Sequence, residues 1–363
     1  MSATARVQFP SGSTFHADLK ARVESYFDST GRAAHGGWAM VLKTAILGAW
    51  LLGSYLLVLF ADVGPALAAL LTISIGLAMA GIGFGVMHDA NHGSYGRSPR
   101  LNRAMGFSMD LLGASSNVWR HKHNILHHTY TNIAGFDTDI DASSMLRLAP
   151  SQPWLRLHRF QHLYIWILYA VFPLKWWFLD DARELASGRI AAHSFPAARG
   201  WALVRALGGK VAFVGWAFVV PLVLHPTWKL VPLWLLGVAT LGVVTSVVFQ
   251  LAHCVGGADF PQAGAGGQME AGWAEHQIAT TVDFARRSRI LSWYLGGLNF
   301  QVEHHLFPRI CHLHYPAVSA IVQDTCRAHG IAYSAEPTLR SALASNLGWL
   351  REMGRGPALR LQR

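Results

Sequence analysis

The sequence predicts an all-α integral membrane protein with four transmembrane helices and both termini in the cytoplasm. Of its 363 residues, 52% are hydrophobic and only 14% are charged, whereas soluble domains carry about 25% charged residues. Four segments are apolar over the roughly 20 residues that a helix needs to cross a bilayer. Lysine and arginine concentrate in the N-terminal arm, the middle section and the C-terminal region, so these parts are expected on the cytoplasmic side.

The four predicted spans form two tight pairs. Residues 38–61 and 65–87 are joined by a very short turn, and residues 201–224 and 230–253 are joined by HPTWK. Each pair is therefore expected to be antiparallel. Lys43 lies near the start of the first span, where its long side chain is expected to reach the membrane surface.

A fifth apolar stretch, residues 160–179, is predicted to lie in the membrane interface rather than to cross. Pro173 and Lys175 interrupt it, and Trp and Tyr are abundant, as in helices at the membrane surface. If this stretch crossed, the histidine-rich segments before and after it would lie on opposite sides of the membrane.

The predicted organisation is an N-terminal arm (residues 1–37), one main domain (38–335) and a basic C-terminal tail (336–363). In the arm, Phe15, Leu19 and Val23 recur at helical spacing, which predicts a surface helix packed on the main domain. No apolar run follows Arg6, so no cleavable signal peptide is expected.

Charge and cysteine content exclude several classes of protein. The formal net charge is +10, which suits an anionic lipid surface or an acidic protein partner better than nucleic acid in a chain so rich in apolar segments. The three cysteines show no C-x-x-C spacing, so we expect them to be reduced and structural rather than part of a disulfide framework or a thiolate site.

Three histidine clusters lie at or just beyond the cytoplasmic ends of the predicted spans. They are HDANH at residues 88–92, HNILHH at 123–128 and QVEHH at 301–305, and a further histidine ends the fourth span. Residues four apart project from the same face of a helix. Eight histidines exceed the four ligands usual around one zinc ion, so the sequence predicts a cytoplasmic helical cap that holds two metal ions. The expected ligands are His88, His92, His123, His127, His128, His253, His304 and His305.

The residue types alone do not choose the metal, because imidazole suits iron, copper, nickel and zinc. The lack of a cysteine cluster and the scarcity of carboxylates argue against an iron–sulfur cluster or a carboxylate-bridged bundle site. His121 shares the stretch HKHNILHHTYTN, but on a helix it points about 200° away from His123. It is expected to lie outside the site, and His312 and His314 are left unassigned.

These stretches resemble the membrane-bound fatty acyl desaturases, a diiron family with three histidine boxes. The segments WRHKHNILHHTYTNIAGFDTDID and QVEHHLFPRICHLHYPAVSAIVQDTCRAHGIAY are particularly similar, and the resemblance runs from about residue 35 to residue 335. The glutamine that opens the third box is similar to the subgroup with front-end and linoleoyl-CoA-type desaturases. The resemblance implies desaturation of a fatty acyl chain at two iron ions, with O2 as the co-substrate.

The resemblance also implies roles for single residues. The box histidines and His253 match iron ligands, and Gln301 stands where some relatives have a ligating histidine. Polar groups near the boxes are expected to bond to the ligating imidazoles and fix their tautomers: Asp89, Asn132, Asp137, Asp139, Asp141 and Glu303. Basic residues expected to contact the substrate headgroup are Arg97, Arg100, Arg120 and Lys122.

The implied substrate is a fatty acyl group linked to coenzyme A, acyl-carrier protein or phospholipid. Many front-end desaturases carry a fused cytochrome b5 domain with an HPGG motif, which this chain lacks, since HPTW at residues 225–228 lies in a turn between spans. Electrons are therefore expected from a separate carrier, such as ferredoxin, a rubredoxin-like protein or cytochrome b5. Such carriers are often acidic, which gives the positive charge of this chain a use.

Three other functions fit parts of the pattern. Hydroxylation or acetylenic desaturation by the same centre is the nearest, because no residue decides between these outcomes. A histidine-rich metal transporter would place its ligands near the bilayer midplane, whereas Arg205 and Lys210 are almost the only ionisable groups within these spans. A membrane cytochrome with bis-histidine haem would use two facing histidines rather than eight.

Overall fold

The computed structural model describes residues 7–141, 143–196 and 198–356. The first six residues of the predicted arm and the end of the predicted tail, residues 357–363, lie outside the described residues. Helices dominate the fold. In chain order they are α1 (Thr14–Thr30), α2 (Gly37–Phe60), α3 (Pro65–His92), α4 (Pro99–Gly106), α5 (Ser108–Leu111), α6 (116–130), α7 (Arg156–Ser187), α8 (Trp201–Leu224), α9 (Leu230–His253), α10 (Trp273–Thr280), α11 (Arg289–Tyr294), α12 (Gln301–Leu306), α13 (Tyr315–Ala328) and α14 (Leu339–Gly354).

Between the helices lie short strands and single helical turns. Strand β1 (Arg189–Ile190) pairs antiparallel with β2 (His193–Ser194). Strand β3 (Asp283–Phe284) pairs parallel with β4 (Ala335–Glu336), so that a loop near the histidines is tied to the start of α14. Single 3-10 turns occur at Ala265–Gly267 and His312–His314.

Within the described residues, five helices are long and apolar enough to cross a membrane, namely α2, α3, α7, α8 and α9. Four of them coincide with the predicted spans to within a residue at most ends. The exception is α3, which continues beyond the predicted end through His92. The first histidine cluster therefore lies on the last turn of one of these long helices.

In the part of the chain that the structure describes, four π-helical turns interrupt the helices. They are Gly83–Met87 in α3, Lys122–His127 in α6, Trp176–Asp180 in α7 and Gly215–Val219 in α8. Such wide turns are frequent at functional sites. Two of the four directly precede or contain histidine clusters, so the register of these side chains differs from that of a regular α-helix.

The predicted helix over residues 160–179 lies within α7, which passes through Pro173 without a break. A proline removes one hydrogen bond from a helix and crowds the carbonyl four residues earlier, which here belongs to Tyr169. Gly242 of α9 lies against both residues: a methyl group there would clash with the carbonyl oxygen of Tyr169 and lie 2.7 Å from Cδ of Pro173. The close packing of α9 against α7 therefore accommodates the proline within a continuous helix.

The prediction that Lys43 reaches the membrane surface is wrong. Its side chain is only 2% exposed and its Nζ lies 3.0 Å from Nε2 of His312. Burying an ammonium group is costly unless it is paired or hydrogen-bonded, and His312 supplies that partner.

The cap is built from the ends of the chain. The predicted N-terminal helix is confirmed as α1, which begins at the capping hydroxyl of Ser13 and packs against α13. Its buried face belongs to a cluster with α10, α12 and α13. At the other end, much of the predicted tail is the ordered helix α14, which packs against α7 and α9. The three cysteines are free and buried, as expected.

Candidate metal centre

The structure brings the eight predicted histidine ligands together from four parts of the chain. His88 and His92 end α3, residues 123–128 belong to α6, His253 ends α9, and residues 304–305 belong to the short helix α12. Each of the eight is at most 8% exposed. Buried imidazoles need hydrogen-bond or metal partners. A cluster of eight therefore requires an explanation.

The ring nitrogens form two groups. In the first, His88, His92, His123 and His304 each offer one nitrogen, and these atoms all lie within 4.8 Å of one another. In the second, His127, His253 and His305 do the same. His128 lies between the groups: its Nε2 is 3.2 Å from Nε2 of His123, and its ring stacks on His305 at 4.4 Å. Two groups match the expected number of ions.

The π turn at Lys122–His127 explains how one helix serves both groups. A π turn closes after one more residue than an α turn, so residues four and five positions apart lie on the same side. The rings of His123 and His127 are accordingly stacked at 5.2 Å, and His128 also faces the cluster. His121 lies elsewhere, with its ring edge against Phe195 at 5.3 Å.

The hydrogen bonds of several of these rings leave one nitrogen free for a metal. His304 Nδ1 lies 3.1 Å from the hydroxyl of Tyr315, and His305 Nδ1 lies 2.9 Å from Oε1 of Gln277. Four of the rings have a buried Nε2 atom without a protein partner among the described residues. They belong to His92, His253, His304 and His305. Outer bonds that fix the tautomer and inner nitrogens without partners are typical of metal-ligating histidine. The residues therefore fit a pair of metal ions.

The electrostatics of the cluster also suit metal binding, which requires neutral imidazole. Burial, together with the neighbouring imidazoles, lowers the pKa of four histidines well below the usual range. These are His123, His128, His304 and His305. His127 differs: burial alone would lower its pKa, but the carboxylates of Asp137 and Asp139 outweigh burial and raise the pKa to about 9.

Two of the predicted polar residues bond to imidazoles directly. An oxygen of Asp137 lies 3.1 Å from Nδ1 of His127, and the same carboxylate accepts the backbone N–H of Asn132 at 2.9 Å. Asp89 lies 2.7 Å from Nδ1 of His312 and 4.0 Å from Nδ1 of His88. Asp139 is more distant, 3.5 Å from Nδ1 of His127, and its side chain is 41% exposed.

Asn132 acts on the backbone rather than on an imidazole. Its side-chain amide donates to the carbonyl oxygens of His253 and Asp259, each at 3.1 Å, and of Thr280 at 3.3 Å. Its φ of +58° is a left-handed conformation that asparagine tolerates better than most residues. Asn132 therefore fixes the end of α6 against the end of α9.

Two other predicted residues face away from the histidines, which corrects their expected role as partners of the imidazoles. Asp141 accepts hydrogen bonds from the backbone of Gly135 and the side chain of Gln152, each at 2.7 Å. Glu303 is fully buried and accepts from the hydroxyl of Tyr333 at 2.9 Å. Asp141 and Glu303 therefore stabilise the loops around the cluster without touching a ring.

Gln301 and the predicted headgroup residues have different environments. Gln301 is 2% exposed, and its Oε1 has no hydrogen-bond partner within the described part of the chain. Arg97 and Arg100 are exposed, and Arg120 donates to the carbonyl oxygen of its own helix at Ser116. Lys122 is the one of the four that borders a cavity.

Two residues that the sequence did not predict contact the cluster. Gln277 is fully buried and its Oε1 accepts from both Thr131 and His305, while Tyr315 bonds to His304. Tyr315 lies in the segment that resembles the desaturases, so the motif HLHY could have indicated it. Gln277 lies in WAEHQIATT, which carries no recognisable signal.

A cavity of about 490 Å³ opens beside His123 between α7 and α9. One part of its wall is apolar, with Leu168, Phe172, Trp176 and Phe249 among the residues that line it. Trp119, stacked on His123 with ring centroids 4.3 Å apart, also lines it. Another part of the wall is charged, through Lys122, Asp139, Asp141, Lys175, Asp180 and Glu184. The cavity can therefore hold a long apolar chain next to the metal groups.

Fold and site together define a multi-helix membrane protein with a buried, histidine-rich centre that is suited to two metal ions. The sequence profile of the fatty acid desaturase family matches residues 64–337. The chain is 38% identical over 355 residues to the sn-1 linoleoyl-lipid 6-desaturase of Synechocystis sp., covering 96% of this chain and 98% of that protein. This chain belongs to the fatty acid desaturase family.

Other relatives carry similar names. The chain is 34% identical to the sn-1 linoleoyl-lipid 6-desaturase of Arthrospira platensis, covering 98% of this chain and 97% of that protein. It is 35% identical to the acyl-lipid (8-3)-desaturase of Physcomitrium patens, covering 94% of this chain and 72% of that protein. The chain is therefore an enzyme, an oxidoreductase that acts on fatty acyl chains, as the resemblance implied.

Proposed function

We propose that this protein desaturates acyl chains of membrane lipids, using two iron ions held by the eight clustered histidines and electrons from a separate carrier protein. The observation that carries the proposal is the pair of histidine groups, the first of which reaches the wall of a mixed apolar and charged cavity through His123. When bound, the irons would supply the reduction of O2 that removes two hydrogens from adjacent methylenes, so that O2, two electrons, two protons and the saturated chain give an alkene and two waters.

The protein residues prepare the site in two ways. The outer nitrogens of three ligand rings are held by protein oxygens: His305 by Gln277, His304 by Tyr315 and His127 by Asp137. These contacts direct the inner nitrogens of the rings toward the metals. We propose that Gln301, whose Oε1 is buried without a protein partner among the described residues, completes the ligand set of one iron directly or through water.

The cavity supports an acyl chain as the substrate. Leu168, Phe172 and Phe249 provide an apolar wall, and Trp119 and His123 border both the cavity and the first histidine group. A chain in this cavity would pass next to the metals, and the distance from its anchored end would select the carbons that react. Apolar burial in such a cavity would stabilise the bound chain by roughly 0.8 kcal/mol per methylene.

The charges of the cavity favour a lipid-linked chain over acyl-CoA. Two cations and four carboxylates line it, and the cations are paired, Lys122 with Glu184 at 3.1 Å and Lys175 with Asp180 at 2.6 Å. Asp139 and Asp141 then leave a net negative charge. The phosphates of coenzyme A or of acyl-carrier protein would be repelled there, whereas the uncharged or zwitterionic headgroup of a lipid would not. The relatives named for linoleoyl-lipid and acyl-lipid substrates support the same choice.

We propose that α2, α3, α8 and α9 cross the membrane and that α7 lies along its cytoplasmic surface. With four crossings, all histidine clusters lie on the same side, as one metal centre requires. With five crossings, residues 123–128 and residues 304–305 would begin on opposite sides, although their rings are in contact. Both termini and the metal centre are then cytoplasmic, which also suits the positions of lysine and arginine.

Iron content and product analysis test this proposal together. The purified protein in lipid nanodiscs is expected to hold about two irons per chain and to form an unsaturated product from a lipid-linked acyl chain only with O2 and a reduced carrier. Acyl-CoA with the same chain is the comparison substrate. His127→Ala and His304→Ala are expected to lose iron and activity, whereas His121→Ala, from the same stretch as His127 but outside the cluster, should keep both.

Each part of the proposal has its own contrary result. Full iron and activity in His304→Ala would show that the ligand assignment is wrong. Conversion of acyl-CoA but not of the lipid-linked chain would show that the proposed substrate class is wrong. Hydroxylated product alone would replace desaturation by hydroxylation on the same centre.

A further inference from the structure

One buried ionisable network lies beside the histidine cluster and has no place in the ligand set. Lys43 comes from the first long apolar helix, α2, and is 2% exposed. Its Nζ lies 3.0 Å from Nε2 of His312, and the opposite nitrogen of that ring lies 2.7 Å from Oδ2 of Asp89. Ionisable residues within membrane helices are rare and usually functional, so this arrangement needs more than a packing explanation.

The donors and acceptors of the network have one consistent assignment. The ammonium of Lys43 has only hydrogens to donate, so Nε2 of His312 must accept. The imidazole Nδ1 then carries the proton and donates to Asp89. Asp89 also accepts the backbone N–H of His312 at 3.3 Å, and its other oxygen lies 4.0 Å from Nδ1 of His88. The result is a charge-balanced series from α2 to the first histidine group.

The backbone of α3 is shaped to admit this lysine. Gly85 lies in the π turn that precedes His88, and a methyl group at Gly85 would lie 2.6 Å from both Cε and Nζ of Lys43. The ammonium also lies 5.3 Å from the ring centre of Trp293, within the range of a cation–π contact. A glycine on one helix, an aromatic ring on α11 and a histidine after α12 therefore enclose the same ammonium group.

The network also argues against a third metal ion at this place. Asp89, Cys311 and His312 offer ligand atoms within 4.8 Å of one another. However, Lys43 already occupies the open nitrogen of His312, and a second cation would be repelled by its ammonium at short range. The group is better explained as support for the neighbouring metal-binding histidines.

We propose that Lys43 is a positioning residue: through His312 and Asp89 it fixes the ring of His88, and with it the geometry of the first of the two metal groups. This inference rests on the proposed iron centre. Partners that orient a ligating histidine typically change metal affinity or activity by 10–100-fold when removed. The effect of Lys43 should be confined to the group that contains His88 and should not reach His127, His253 and His305.

The test is Lys43→Met in the full-length protein, loaded with 57Fe, reduced, and measured by Mössbauer spectroscopy beside activity. Two ferrous doublets are expected in the native protein. In Lys43→Met, one doublet should change its quadrupole splitting and the other should keep it, and kcat should fall about tenfold or more with KM little changed. Such selective change distinguishes positioning from a general loss of stability.

Lys210→Met is the matched control. Lys210 is also a lysine of a long apolar helix, bound to the carbonyl oxygens of Gly113 and Trp177 and to Asp181, but it contacts none of the clustered histidines. The Lys210→Met variant should have a lower thermal stability than the native protein and leave both doublets unchanged. If Lys43→Met does not fold, Gly85→Ala serves instead, because it displaces the same ammonium while keeping the lysine.

The outcomes are distinguishable from those that test the iron centre itself. If native protein holds no iron, the proposed function fails first. If native protein holds two irons and Lys43→Met or Gly85→Ala keeps both doublets, the positioning role is wrong. It is also wrong if Lys210→Met alters the same doublet to the same extent.

Discussion

Tyr315 offers the cleanest test of how the protein holds its metal ligands. Its hydroxyl lies 3.1 Å from Nδ1 of His304, the residue is 1% exposed, and burial raises the pKa of the phenol well above its usual value. The phenol is therefore neutral, and its oxygen accepts the imidazole proton. Tyr315→Phe removes this one oxygen and leaves the ring in place.

The expected cost follows from the group left behind. A buried donor without an acceptor costs about 1–3 kcal/mol, and His304 can recover part of it by rotating out of position. Loss of an outer bond to a ligating histidine lowers metal affinity by roughly 10–100-fold, or about 1.4–2.7 kcal/mol at 1.36 kcal/mol per factor of ten. The two ranges agree, so we expect a loss of about 2 kcal/mol in iron affinity.

Competition with a chelator measures this loss directly. Tyr95→Phe is the control, because Tyr95 is 2% exposed and bonds to Thr44 and the carbonyl oxygen of Met40, but to no histidine of the cluster. It should lower stability without changing iron affinity. An affinity of Tyr315→Phe within twofold of the native protein, or an equal loss in Tyr95→Phe, would refute the reasoning.

Further predictions concern the ligand set, the cavity and pH. Gln301→Ala is expected to lower iron affinity about tenfold, measured by the same competition; unchanged affinity would remove Gln301 from the ligand set. Leu168→Trp fills the cavity and should reduce kcat/KM for long acyl chains more than for short ones, since each methylene excluded from the cavity forfeits about 0.8 kcal/mol. Leu163→Trp, on the exposed side of the same helix, should leave kcat/KM for long chains unchanged. Equal effects of the two variants on the chain-length profile would contradict the assignment of the cavity to the acyl chain. In metal-free protein, His123, His128, His304 and His305 have lowered pKa values, so below about pH 6.5 these four side chains bind four more protons in the unfolded state than in the folded state. As the pH falls below this value, the free energy of unfolding should decrease by about 5 kcal/mol per pH unit. Acid titrations followed by fluorescence measure this decrease, and a flat profile would contradict the contribution of His123, His128, His304 and His305.

The sequence predicted the long helices and the histidine cluster because each depends on local pattern. Apolar length set the bounds of α2, α8 and α9 almost to the residue. Spacing of four and five residues marked the histidines, and their common place at the ends of the helices brought them together. These features need no knowledge of which distant residues are neighbours.

The errors come from contacts between distant residues. Lys43 was expected at the surface, but its partner His312 is 269 residues away. The sequence marks Pro173 as an interruption of an apolar stretch, but it does not show that Gly242 on another helix makes room for the proline within α7. Gln277 and Tyr315 were not predicted, because only the packing of α10, α12 and α13 brings them to the imidazoles. The π turns shift the register of side chains, and no single residue type announces them.

The origin of the histidines in four separate parts of the chain has a consequence for biosynthesis. His88 and His305 are 217 positions apart, and neither group of nitrogens is complete before α12 has been made. Metal loading must therefore follow translation of nearly the whole chain and the insertion of both helix pairs. Until then the last turn of α3 holds two imidazoles with no finished site around them, so assembly of the membrane helices and delivery of the ions are expected to be successive events that a cell can control separately.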